Sequence, residues 1–185
     1  MAADLDTIVF DKTGTLTKGE FEVNELLTAD GVSEAELLEA AAYAENFSDH
    51  PIAASIKRAF AKEGNEIAAE RISDVKEVAG HGIRILLDGA EVFAGNEKLL
   101  SDNSIAAVLT EKPGTVVYVA KSGSYMGCVI ISDTIKPEAR QAIKSLKQAG
   151  VKQTVMLTGD RKKAGEAVAK ELGIDTVYTQ LLPAD

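Results

Sequence analysis

Asp11-Lys12-Thr13-Gly14-Thr15-Leu16-Thr17, directly after the apolar run at residues 5–10, decides how this chain is read. A β-rich run ends at a lone carboxylate, and hydroxyls, a glycine and a lysine follow. Such groups can surround a phosphate through side-chain and backbone donors. Asp11 is therefore a candidate nucleophile, because carboxylates form covalent phosphoryl intermediates that split one hard transfer into two easier ones. An open α/β sheet also presents its chemistry at the carboxyl ends of its strands. The plain alternative is a polar loop closing a strand.

The rest of the chain fits a sheet that is entered, left and entered again. Residues 5–10 predict a buried strand. Residues 137–149 predict a helix with Pro137 in its first turn and Gly150 just past its end. The apolar run 155–157, a helix over 162–172 stopped by Gly173, and a strand at 176–178 complete βαβ grammar and a parallel sheet.

Between these lies a different pattern. Residues 21–27 predict a strand, Ser33 with Glu36 a capping box for a helix through Ala44, and Pro51 a helix to about residue 62. Asp88-Gly89 joins strands 83–87 and 91–94, and Ser122-Gly123 joins 115–120 and 125–131. The expectation is an antiparallel sheet with helices on one side, inserted after the first strand of an α/β fold. The division is 1–21, 22–131 and 132–185, with crossings near 18–22 and 131–135. No linker, repeat or low-complexity segment marks them.

The chain has 185 residues, 45% hydrophobic and 26% charged, ordinary for a globular protein. No apolar run approaches the roughly 20 residues that span a bilayer, so this stretch is not expected to insert into a membrane. A net charge of −9 argues against nucleic acid and anionic lipid as partners. Cys128 is the only cysteine, which excludes a disulfide framework, favours a reduced setting and reads as a small core residue. With only His50 and His81 besides, no transition-metal constellation forms.

Three further constellations carry chemistry. Thr158-Gly159-Asp160 follows an apolar run and precedes a helix, so its hydroxyl and amides can meet a phosphate; a simple turn is the alternative. His50-Pro51 stands at a helix entry, where an imidazole can pack on or hydrogen-bond to an adenine, or simply face solvent. Glu45 lies upstream. Gly80, Gly82 and Gly95 offer side-chain-free backbone for a ligand's close approach, with Asn96 beside them and His81 a bystander. Asp133 with Lys136 and Pro137 reads as a helix entry with an acid at the positive dipole end.

The run Asp11 to Thr17 resembles the signature of the P-type cation-transporting ATPases. The haloacid dehalogenase superfamily, to which it is similar more broadly, includes phosphatases with a second Asp two positions after the nucleophile. Here that position is Thr13, so a long-lived phosphoenzyme is expected over rapid hydrolysis. The ordered set Glu45, His50, Gly80, Gly82, Gly95 and Asn96 resembles the nucleotide-binding set of the heavy-metal-transporting subgroup. The stretch 134–160 resembles zinc, cadmium, cobalt or lead exporters more than copper exporters.

The resemblance implies an α/β fold: a haloacid-dehalogenase-like Rossmannoid phosphorylation domain interrupted by an α+β nucleotide-binding domain. It implies ATP and Mg²⁺ as cofactors, Asp11 as the phosphorylated residue, and Lys12, Thr13, Thr158 and Gly159 around the phosphoryl group. Asp160 would approach the nucleotide, Asp11 and the Thr13 carbonyl would hold Mg²⁺, and Asp133 would mark a hinge. It also implies transmembrane and actuator domains elsewhere in the polypeptide and a place on the cytoplasmic face of a membrane. Relatives continue past residues 181–185 with a lysine and an acidic loop, so a C-terminally shortened phosphorylation domain with weak Mg²⁺ affinity is expected. A haloacid-dehalogenase-type phosphatase with an inserted cap, and a nucleotide-binding module without turnover, remain the alternatives.

Overall fold

In the computed structural model, which describes residues 6–160 and 162–181, the chain alternates strands and helices as follows. The elements are β1 (Thr7–Asp11), β2 (Thr17–Thr28), α1 (Glu34–Ala44), α2 (Pro51–Lys62), β3 (Ile72–Val78), β4 (Gly82–Leu87) and β5 (Ala90–Gly95). Then come α3 (Glu97–Asp102), β6 (Thr115–Lys121), β7 (Ser124–Ile135), α4 (Ala139–Gln148), β8 (Gln153–Leu157), α5 (Lys162–Leu172) and β9 (Thr176–Tyr178). Leu5 of the expected first strand and residues 182–185 of the tail lie outside the described residues.

The chain divides into two compact units. The first holds the residues up to Glu20, Glu111–Pro113 and those from Asp133 onward; the second holds Phe21–Thr110 and Gly114–Ser132. Apart from the short excursion at Glu111–Pro113, the crossings at Glu20/Phe21 and Ser132/Asp133 fall inside long strands, β2 and β7. That is why no Gly-rich or Pro-rich linker announces them.

In the first unit β1, β8 and β9 form a parallel sheet in the order β1-β8-β9, with Asp11 opposite Leu157 and Leu157 opposite Tyr178. Phe10, Met156 and Val177 pack with Ala139 and Ile143 of α4 and Val168, Ala169 and Leu172 of α5. The expected buried first strand is corrected here. Among the described residues β1 lies at the edge of the three strands, its residues alternate between exposed and half-buried, and Val9 is 54% exposed. An apolar run alone does not reveal which strand will be central.

The second unit is a six-stranded sheet in the order β2-β7-β6-β5-β4-β3, antiparallel throughout the run from β3 to β7. Its β4–β5 and β6–β7 turns have both central residues in the left-handed region: Asp88 and Gly89 (φ 51° and 79°), and Ser122 and Gly123 (φ 52° and 77°). That twist matches the right-handed twist of the flanking strands. One face packs on α1 and α2 through Leu37, Leu38, Tyr43, Ile56 and Phe60. Helices do not keep to one side, however. Leu99 and Leu100 of α3 cover Phe93, Tyr118, Ala120 and Cys128 on the other face, which makes Cys128 the core residue expected. Burial pushes its thiol pKa up.

Candidate functional site

In the first unit the loop after β1 alternates exposed and anchored residues. Asp11, Thr13, Gly14 and Thr15 are exposed, while Lys12, Leu16 and Thr17 are buried. Gly14 at φ 79° turns the chain back, a conformation glycine adopts without strain. The anchors converge on Asp133. The Thr17 hydroxyl donates to Asp133 Oδ2 (2.5 Å), and the Gly19 amide donates to Oδ1 (2.9 Å). Lys12 Nζ lies 3.7 Å from the same carboxylate. Asp133 lies within β7, so the helix-entry reading is corrected: its charge serves the loop.

Lys12 is only 5% exposed, and its ammonium also pairs with Asp160 Oδ2 at 2.7 Å. Lys136 donates from Nζ to the Gly14 carbonyl at 2.7 Å. The strand ends bring Asp11 and Thr158 together, since β1 and β8 are parallel neighbours and Thr158 follows Leu157, the partner of Asp11. Thr158 is buried, and its hydroxyl accepts from the Asp160 amide at 3.1 Å. The Gly159 turn is held on both sides: Gln180 N–H donates to Asp160 O, and Leu181 N–H donates to Thr158 O.

In the second unit four of the six expected residues, Gly80, Gly82, Gly95 and Asn96, gather at one end of the sheet. β3 ends at Val78, β4 starts at Gly82 and β5 ends at Gly95, with Gly82 directly opposite Gly95. A Cβ on Gly95 would lie 2.2 Å from the His81 carbonyl oxygen, and one on Gly82 would lie 2.3 Å from that of Ala94. The facing strand fills that space, so these two glycines are required by the sheet itself. Gly80, at φ 72°, has open space around it. Asn96 ties the end together. Its Nδ2 donates to Gly80 O (2.9 Å), its Oδ1 accepts from Leu99 N–H (3.0 Å), and its amide donates to His81 O (2.8 Å). The His81 ring donates from Nδ1 to its own turn, at Ala79 O (2.8 Å).

Glu45 ends α1 and faces Glu77 at the end of β3. Burial raises its pKa above the ordinary carboxylate value, Lys57 and the Ser48 hydroxyl act against that, and Glu77 adds to it. His50 caps α2, its Nδ1 accepting from Ile52 N–H at 3.2 Å, which places the ring proton on Nε2. Phe47, in the same turn and 57% exposed, was not singled out from sequence; an aromatic three residues before His50 was the available signal. A groove of about 510 Å³ in this unit runs along β2, α1 and α2 past Asn24, Arg58 and Lys62, and includes none of the six.

Among the described residues no three His, Cys, Asp or Glu side chains converge as a metal site. Asp11 and the Thr13 carbonyl are hard oxygen donors, two of the six that Mg²⁺ takes. An ion that keeps several waters and shares nucleotide phosphates fits such a pair.

A parallel sheet with a carboxylate ending one strand and a hydroxyl after its neighbour defines a class. Residues 5–184 match the haloacid dehalogenase-like hydrolase family, and the chain belongs to it. Within that class it is 51% identical over 177 residues to the cadmium, zinc and cobalt-transporting ATPase of Bacillus subtilis (strain 168), covering 96% of this chain and 25% of that protein. It is 48% identical over 179 residues to the zinc-transporting ATPase of Synechocystis sp. (strain ATCC 27184 / PCC 6803 / Kazusa), covering 97% of this chain and 24% of that one. The crystal structure of a zinc-transporting PIB-type ATPase in the E2.Pi state superposes with a TM-score of 0.82 at 32% identity, over 98% of this chain and 30% of that chain. The chain thus spans about a quarter of the length of the curated relatives it matches. No described helix is long and apolar enough to cross a membrane.

Proposed function

We propose that this chain is the ATP-binding and phosphoryl-accepting part of an ATP-driven heavy-metal cation exporter, of the zinc and cadmium kind. The observation that carries the reading is the carboxylate inventory around Asp11. Thr13 stands where a phosphatase of this family places its acid–base Asp. The carboxylates of Asp133 and Asp160 are both committed to Lys12. Among the described residues this leaves Asp11 as a nucleophile with no carboxylate at the Thr13 position to activate water, which suits a phosphoenzyme that persists. The zinc and cadmium assignment rests on the names of the relatives above.

In this reading the second unit holds ATP, with Glu45, His50, Phe47, Asn96 and the backbone at Gly80, Gly82 and Gly95 around the base and sugar. An Asp11 carboxylate oxygen attacks the γ-phosphorus in line; its bond to phosphorus forms as the bond to the β,γ-bridging oxygen breaks, and ADP leaves. The Thr158 hydroxyl and Gly159 amide stabilise the transferring group. Asp11 and the Thr13 carbonyl hold Mg²⁺, which supplies charge neutralisation when bound. Lys12, fixed between two carboxylates, sets the loop. Membrane-spanning and actuator segments elsewhere in the polypeptide carry the ion and respond to the phosphoenzyme.

Titration calorimetry of this chain with a nonhydrolysable ATP analogue and Mg²⁺ tests the reading. Saturable binding is expected, weakened about 5- to 150-fold by His50→Ala, the value of a stacked base. Absence of binding, or efficient turnover of small phosphomonoesters, would return the chain to the phosphatase class.

A further inference from the structure

The turn between α1 and α2 presents Glu45, Phe47 and His50 within six residues, yet it contains only one short helical turn, Glu45–Phe47. Its fixation comes from outside. Lys57, two turns into α2 from His50, donates from Nζ to the Ser48 carbonyl (2.9 Å) and the Asn46 carbonyl (3.2 Å). Its side chain is half-buried, and its charge reaches the Glu45 carboxylate. The two carbonyls take two of the ammonium's three donors, and Glu45 feels its charge through space.

We infer that Lys57 is a positioning residue for nucleotide recognition, holding the Glu45–His50 turn in its binding shape without itself touching the ligand. The inference rests on the nucleotide reading of the second unit. Physically, a turn fixed before binding spares the ligand the entropic cost of ordering it. The ammonium also opposes the protonation of Glu45 that burial, foremost, and the Glu77 charge favour. The groups facing Glu45 are Lys57 from α2, Glu77 from β3 and the Ser48 hydroxyl from its own turn.

The test compares wild type with Lys57→Met, Lys57→Gln and Lys57→Arg by titration with the ATP analogue across pH 5 to 8, with amide hydrogen exchange over residues 45–52. Lys57→Met is expected to weaken binding about 3- to 10-fold and to speed exchange in the turn. Without the ammonium Glu45 protonates more readily, so the acid loss of binding should move to higher pH. Lys57→Gln, which can still donate but carries no charge, should keep much of the exchange protection and show the pH displacement. Lys57→Arg should restore both. If Lys57→Met does not fold, the Gln and Arg variants carry the comparison. Wild-type binding with unchanged affinity and pH midpoint in the folded variants would overturn this inference alone. No binding by the wild type would overturn the nucleotide reading and this inference with it.

Discussion

Asp133 illustrates how much one buried carboxylate can organise. Its side chain is 2% exposed and takes the Thr17 hydroxyl, the Gly19 amide and the Lys12 ammonium. Asp133→Ala strands the Lys12 charge in the interior, and we expect a loss of about 3 to 5 kcal/mol, measured by urea denaturation. A loss below about 1 kcal/mol would mean that Asp160 alone compensates Lys12. The sequence could not reveal this role, because Thr17 and Asp133 are 116 positions apart and only the folded sheet brings them together. The glycines teach a related lesson. Gly95→Ala should cost about 1 to 3 kcal/mol or more through collision with the His81 carbonyl, whereas Gly80→Ala, with open space, should cost only the roughly 1 kcal/mol of left-handed backbone strain. Equal losses in thermal melts of the two variants would contradict the distinction. From sequence all three read alike, as ligand-facing backbone; cross-strand contact is invisible there.

At the scale of elements, local chemistry was legible wherever it was self-contained. The α1 capping box is complete, with the Ser33 hydroxyl accepting from Glu36 N–H and the Glu36 carboxylate accepting from Ser33 N–H. Ser33→Ala should cost about 0.5 to 2 kcal/mol in urea denaturation, and no measurable loss would show that packing alone holds α1. The two turns of left-handed backbone, the His50-Pro51 start of α2 and the Gly173 stop of α5 are equally local. β3 was not anticipated, because it is a bulged edge strand with mostly exposed residues and no alternation. α3, at six residues, is too short for a periodic signal. The link from α4 to β9 adds a pH dependence. Lys147 and the Thr154 amide and hydroxyl hold the Asp175 carboxyl down to about 2, from an ordinary 3.8. A depressed carboxylate stabilises the fold above its unfolded pKa and loses that contribution as pH falls through its folded one. Acid titration should therefore weaken the first unit between about pH 3.8 and 2, and Asp175→Asn should flatten that limb. An unchanged acid limb in the variant would remove Asp175 from the account.

For the whole molecule, both hydrophobic clusters of the second unit draw only on residues between Phe21 and Ile131. A polypeptide of residues 21–132 should therefore fold alone, giving dispersed amide resonances and cooperative melting; a collapsed, poorly dispersed spectrum would contradict this. The insertion was legible because the periodicity changes character twice along the chain. The crossing points were blurred because β2 and β7 run through them. The central claim joins the two units through chemistry: nucleotide held in one, phosphoryl group accepted at Asp11 in the other. The most direct measurement is brief reaction of the full-length protein with γ-labelled ATP and Mg²⁺, acid quenching, and mapping of the labelled peptide. The account predicts acid-stable, alkali-labile label on the peptide containing Asp11, abolished by Asp11→Asn while affinity for the ATP analogue persists. Label surviving in Asp11→Asn, or residing on another peptide, would contradict it.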